Sequence, residues 1–123
     1  MSSIERTPSA LPFPFSKAVQ AGGFIFLSGQ IPLDGDGRPV PGSIEEQTDN
    51  VLGQIAATLA QLGSGLEDVV RVTVWLSDLA LFGRFNAVYQ AYFKAPHLPA
   101  RSTVQARLAF DVDIEIEVTA YRA

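Results

Sequence analysis

The sequence predicts an α+β fold: a single β-sheet of about five strands with two helices covering one of its faces. Three observations predict it. Two stretches place apolar residues at helical intervals, the remaining ordered stretches alternate apolar and polar residues, and the two kinds follow each other as β-β-α-β-α-β-β. The 123 residues have room for one domain, 1–123, and for no second core.

The Pro-rich start, with Pro8, Pro12 and Pro14, reads as an irregular arm, because proline cannot donate to a sheet ladder. Order is expected from Lys17. Lys17 to Ala21 and Phe24 to Ser28 flank Gly22-Gly23, a pair that tolerates the positive φ of a two-residue hairpin turn. Asp34-Gly35-Asp36-Gly37, followed by Pro39 and Pro41, is turn chemistry and predicts a surface excursion from Gln30 to Gly42. It is acidic and lacks the Gly-Lys-Ser/Thr ending of a phosphate loop.

Ser43-Ile44-Glu45-Glu46 has capping-box spacing, in which a serine oxygen and a glutamate carboxylate each satisfy an orphan amide at a helix start. Ile44, Val51, Leu52, Ile55, Leu59 and Leu62 then recur at helical intervals, with Gln54, Thr58 and Gln61 expected outside and Gly63 as the stop. Val70, Val72, Val74 and Leu76 alternate with Arg71, Thr73 and Trp75, which is strand periodicity. Ser77-Asp78 is placed to cap a second helix carrying Phe82, Phe85, Tyr89 and Phe93 on one stripe and ending before Pro96. Arg101 to Phe110 and Val112 to Tyr121 alternate again and are expected to form a closing hairpin about Asp111. The uncovered sheet face, showing Trp75, Arg101 and Glu115, is too mixed and aromatic for plain solvent and predicts contact with another subunit.

Composition narrows the function classes. Nine Lys and Arg against thirteen Asp and Glu leave a net charge of −4, the wrong sign for a phosphate-binding surface, so nucleic acid is not the expected partner. No cysteine means no disulfide, thiolate metal site or cysteine nucleophile, and one histidine makes no metal cluster. No apolar run approaches a membrane span, and Met1 to Ala10 lacks a signal core, so a cytoplasmic protein is expected. The apolar share of 47% and a mean hydropathy of +0.18 are high for a small monomer and again predict self-association.

A few residues can carry chemistry. Asn86 falls on the apolar stripe of the second helix, where a buried amide either ties down a loop or faces a ligand. Arg101 starts a strand after Pro99-Ala100, placed to grip a carboxylate with two parallel bonds or to pair with a surface acid. Glu115 belongs to the polar face of the last strand with Asp113 and Glu117, and a cross-strand pair with Arg107 accounts for it without any function. Ser28 has no nucleophile elbow around it. His97, between prolines, reads as a loop residue.

Three segments together resemble the reactive intermediate deaminase family, also called the RidA, YjgF or L-PSP family. They are Leu27-Ser28-Gly29-Gln30-Ile31-Pro32; Glu46-Gln47-Thr48 with Asn50 soon after; and Pro99-Ala100-Arg101-Ser102 leading to Ile114-Glu115-Ile116-Glu117. The likeness runs collinearly from about Pro14 to Tyr121. It implies a chorismate mutase-like fold assembled as a barrel-like homotrimer with three sites in clefts between subunits. It also implies hydrolysis of 2-imino and 2-enamine acids to 2-oxo acids and ammonia, with no cofactor and no metal. Carried over, Arg101 grips the substrate carboxylate, and Glu115 positions or activates the attacking water. Asn86 orients the pocket, and Ser28 and the Gly29 backbone line it.

The chain departs from the family pattern at identifiable places. Where Gly-Pro-Tyr-Ser-Gln-Ala is usual, it has Phe13-Pro14-Phe15-Ser16-Lys17-Ala18, so Phe15 keeps the substrate-lining ring and loses its hydroxyl. Thr103, also expected to line the site, stands where cysteine is frequent, so no thiol chemistry transfers. These losses motivate a second reading, a trimer that binds 2-oxo acids or similar carboxylates without turnover. The endoribonuclease activity attached to the L-PSP name is a third, opposed by the charge.

Overall fold

The computed structural model describes residues 3–122. Six strands run β1 (Ile4–Pro8), β2 (Ser16–Ala21), β3 (Phe24–Leu27), β4 (Val69–Leu76), β5 (Ala100–Gln105) and β6 (Ile114–Tyr121). Two helices, α1 (Ile44–Gln61) and α2 (Phe82–Tyr92), precede β4 and β5. The strands form one mixed sheet in the order β1-β2-β3-β6-β4-β5.

The local signals act as their chemistry requires. Gly22 (φ +56°) and Gly23 (φ +87°) turn β2 into β3. The capping box at α1 is complete: the Glu46 amide donates to Ser43 Oγ and the Ser43 amide donates to Glu46 Oε1. Gly63 leaves the helix at φ +77°. Val51, Leu52, Ile55 and Leu59 of α1 and Phe85 and Tyr89 of α2 are buried against Val72, Val74, Leu76, Ile114, Ile116, Val118 and Ala120 of the sheet, making one core. Outside the core, Arg84 of α2 donates two hydrogen bonds to Glu45 of α1, and the Tyr92 hydroxyl donates to Asp49 Oδ1.

The structure differs from the sequence reading in the number of strands, the start of α2, the burial of Thr58, the pairing of the last strands and, as described below, the face that Arg101 takes. The N-terminal arm is a strand: β1 pairs antiparallel with β2 as a sheet edge, its register breaking between Thr7 and Pro8. Both faces of an edge strand are largely exposed here, so β1 carries no period-two signature, and its one proline sits at the end where no donor is needed. Asp78 caps a short 3-10 turn, Leu79–Leu81, by accepting from the Ala80 amide, and α2 begins only after it. Thr58, expected outside, is buried on α1.

The largest difference is the closing hairpin, which does not form. β5 pairs in parallel with β4 at the far edge of the sheet, while β6 inserts between β3 and β4, antiparallel to both. A strand that returns to its neighbour through a helix must come back parallel, and α2 is that crossover. Alternation marks a strand but not its partner. Glu115 therefore lies opposite Trp75 rather than Arg107.

Candidate active site

Arg101 pairs in register with Val72, whose side chain points into the helix-covered core, so Arg101 faces the helices and not the uncovered face with Trp75 and Glu115. Its guanidinium lies over three rings of α2: 4.6 Å from the Tyr89 centroid, 5.2 Å from Phe85 and 5.6 Å from Phe82. A guanidinium over ring faces is held in orientation by their quadrupoles without losing a hydrogen-bonding edge. The ion pairs among the described residues are Arg84 with Glu45 and Arg122 with Asp68, so Arg101 has no acidic partner there.

Beneath it, the Tyr89 hydroxyl is buried with no hydrogen-bond partner among the described residues. Burial pushes its phenol above the ordinary value, with the Arg101 charge pulling the other way. Asn86, half-buried, stands one turn after Phe82 on the same helix, and Thr103, two residues after Arg101 and opposite the buried Val74, shares the face of Arg101. Asn86 and Thr103 thus gather at the Arg101 edge.

Glu115 occupies the other face. Its carboxylate packs against the Gly29 backbone so closely that a Cβ at Gly29 would lie 2.1 Å from Glu115 Oε2. Only glycine allows that approach. Burial, and then the charge of Glu117, raise the Glu115 carboxyl above the ordinary carboxylate range. The Ser28 hydroxyl is already committed, donating to the Ser16 carbonyl at 2.6 Å, so it holds the strand end together.

Glu115, Gly29, Phe15 and Lys17 line a cavity of about 650 Å³. The excursion from Gln30 to Gly42 forms one of its walls, and polar groups of α1 hold that wall. Asn50 accepts from the Leu33 amide and donates to the Leu33 carbonyl, and Gln54 donates to the Ile31 carbonyl. Asp113, expected beside Glu115 on the strand, precedes β6 and accepts from Ser77 and Gln47.

The expected site residues therefore fall into two groups. Arg101, Asn86 and Thr103 lie on the helix side at the β5 edge; Glu115, Gly29 and Phe15 line the cavity, while Ser28, next to Gly29, is not among its lining residues. One chain does not bring the two groups together. Among the described residues no group of three or more His, Asp or Glu is placed to hold a metal ion.

The endoribonuclease L-PSP family model matches residues 6–122. The chain belongs to this family. A RutC family protein of Pyrococcus abyssi is 46% identical over 120 residues, 96% of this chain and 93% of that protein. A protein named Reactive Intermediate Deaminase A, chloroplastic, of Arabidopsis thaliana is 42% identical over 96% of this chain and 63% of its own length. The crystal structure of yeast Mmf1 superposes with a TM-score of 0.89 at 37% identity, covering 98% of this chain and all of that one. The L-PSP family likeness thus spans the whole sheet and both helices.

Sequence reasoning assigned Tyr89, Phe82 and Phe85 to a core stripe and missed their place under Arg101. The signal was present in the stripe itself, which also carries Asn86, but nothing in a linear pattern says that Arg101 returns over it. Phe13 and Phe110, which also line the cavity, were missed because loop aromatics carry no periodicity.

Proposed function

We propose that this L-PSP family member hydrolyses 2-imino and 2-enamine acids to 2-oxo acids and ammonia, in clefts formed between copies of the chain. The observation that carries this reading is Arg101, a half-buried guanidinium held over three rings with no acidic partner. Such a group suits the carboxylate of a small acid, with two parallel hydrogen bonds. The raised Glu115 carboxyl suits the water-activating role, since its conjugate base is stronger than an ordinary carboxylate. The separation of the two groups within one chain fits a cleft to which one copy contributes the Arg101 edge and another the Glu115 cavity. The relative named Reactive Intermediate Deaminase A supports the reaction class.

The chemistry balances without a cofactor. An enamine becomes the iminium by taking a proton from water at its β-carbon. Arg101 and Asn86 orient the iminium acid, and Glu115 takes a proton from water as the water oxygen bonds to the iminium carbon, giving a carbinolamine. Glu115 returns that proton to the carbinolamine nitrogen, and the C–N bond then breaks as the hydroxyl oxygen forms the C=O bond and gives up its proton, leaving the 2-oxo acid and ammonium. The iminium carbon is already electrophilic, so orientation supplies most of the acceleration. Thr103 and the Tyr89 hydroxyl are the other polar groups of the Arg101 edge; Gly29, next to Ser28, shapes the opposite wall.

The test couples the protein to an amino-acid oxidase or a serine/threonine dehydratase and follows 2-oxo acid release. Arg101→Ala should lower kcat/KM by about 100-fold or more, from two charge-assisted hydrogen bonds of roughly 1.5–3 kcal/mol each. No acceleration by the intact protein, or full activity in Arg101→Ala, overturns the proposal. Phe15, which carries no hydroxyl in the cavity, favours the second reading of carboxylate binding without turnover. Tight binding of a 2-oxo acid at Arg101 with no deaminase rate would establish that reading instead. RNA cleavage is disfavoured by the charge of −4.

A further inference from the structure

Three phenylalanines share the Glu115 cavity and have no part in the clamp or in the water activation. Phe13 stacks on Phe15 with ring centroids 6.3 Å apart and planes 18° from parallel, and Phe110 leans on Phe13 at 6.2 Å. All three rings are exposed, Phe110 by 60%. Water is an unfavourable neighbour for so much aromatic surface in one place.

The backbone fixes these rings in position. Phe13 lies between Pro12 and Pro14, whose rings restrict the chain, and the Phe15 amide donates to the Phe13 carbonyl at 2.9 Å, a tight local turn. Phe110 and Asp111 adopt φ of +61° and +54°, left-handed values that an aromatic residue adopts only under constraint. The three rings enter from two distant segments, and Glu115 lines the same cavity.

We propose, resting on the deaminase reading above, that Phe13, Phe15 and Phe110 form a side-chain subsite selecting 2-imino acids with an aromatic or similarly bulky apolar side chain. A cavity of about 650 Å³ is in the range that encloses a whole small molecule. A substrate with a methyl side chain would leave the rings facing water; a benzyl side chain covers them with offset and edge-to-face contacts.

The experiment compares kcat/KM for imines generated in situ from phenylalanine and from alanine by an amino-acid oxidase. The intact protein should favour the phenylalanine-derived imine by about 10-fold or more, within the 10–200-fold that apolar pocket contacts provide. Phe110→Ala and Phe13→Ala should each lower that ratio about 10-fold, and Phe110→Leu should restore most of it, with folding checked by thermal melting.

A second arm measures binding of phenylpyruvate against pyruvate, which needs no turnover. Hydrolysis of both imines with equal efficiency, or an unchanged ratio in the alanine variants, overturns the subsite and leaves the deaminase reading intact. Hydrolysis of neither imine overturns the deaminase reading, and the binding arm then decides the subsite. Phenylpyruvate bound tighter than pyruvate, with the difference lost in Phe110→Ala, supports it, and equal binding overturns it. A fall in assembly mass in the phenylalanine variants, with the selectivity unchanged, assigns the rings to a contact between copies and overturns the subsite.

Discussion

At the residue scale, the titration of Glu115, the proposed base, has a definite sign. Burial first, and the Glu117 charge second, favour its neutral form and raise its pKa above the ordinary carboxylate value. A general base must be ionised, so activity should fall as pH drops through this raised pKa, giving an acid limb centred above the value of a free glutamate. Glu117→Gln should move the limb toward acid, because one of the two causes is removed, while burial keeps it above the free value. The stability linkage runs the other way. The neutral carboxyl is the better accommodated form, so this group's contribution is present at low pH and is lost as pH rises through the raised pKa. A pH profile of kcat/KM beside a pH series of thermal melts separates the two. Gly29→Ala forces the Glu115 carboxylate aside and should cost about 100-fold in kcat, the scale of an ångström misplacement of a catalytic group.

Among the elements, α1 acts as more than a core helix. Its Gln54 and Asn50 hold the excursion that walls the cavity, and Gln47 ties the start of β6 through Asp113. The helical period made Gln54 look like a solvated outer residue, because an amphipathic pattern separates apolar from polar without saying whether the polar side meets water or a loop. Asn50→Ala should destabilise the fold by about 1–3 kcal/mol, the cost of leaving the Leu33 amide and carbonyl unpaired. Ser43→Ala should cost about 1 kcal/mol through the capping box alone. Denaturant melts of both variants, beside the activity assay, distinguish them: only Asn50→Ala should also lower kcat, since only it loosens the cavity wall.

For the whole molecule, the decisive feature is the sheet face without helices. Phe24, Phe26 and Tyr121 lie exposed there in mutual contact, with centroid separations of 4.9 Å and 6.0 Å, and Trp75, Glu115 and Val104 continue the row toward β5. Apolar surface of that extent in one patch marks a contact between molecules. Light scattering should give a mass three times the 13.2 kDa of one chain, and Phe26→Lys should lower both the mass and the deaminase rate. No helix of the described residues is long and apolar enough to cross a membrane, and one relative, 43% identical, is named mitochondrial.

The local elements were legible because their causes are local. A capping box, a glycine pair with positive φ, and period-two or period-3.6 burial depend on residues a few positions apart. Those short-range patterns were enough for the fold class, both helices, the Gly22-Gly23 hairpin, the strand character of 114–121 and, with the three motif segments, the family. Pairing was not legible, because two alternating strands look alike whichever neighbour they meet. Tertiary packing alone decided that β6 lies between β3 and β4, and that Arg101 turns toward α2 while Glu115 turns away. It also brought Phe13 and Phe110 to one cavity. All three outcomes rest on contacts between residues far apart in the chain, and the strand order is made favourable by burying the apolar side chains of both partners at once.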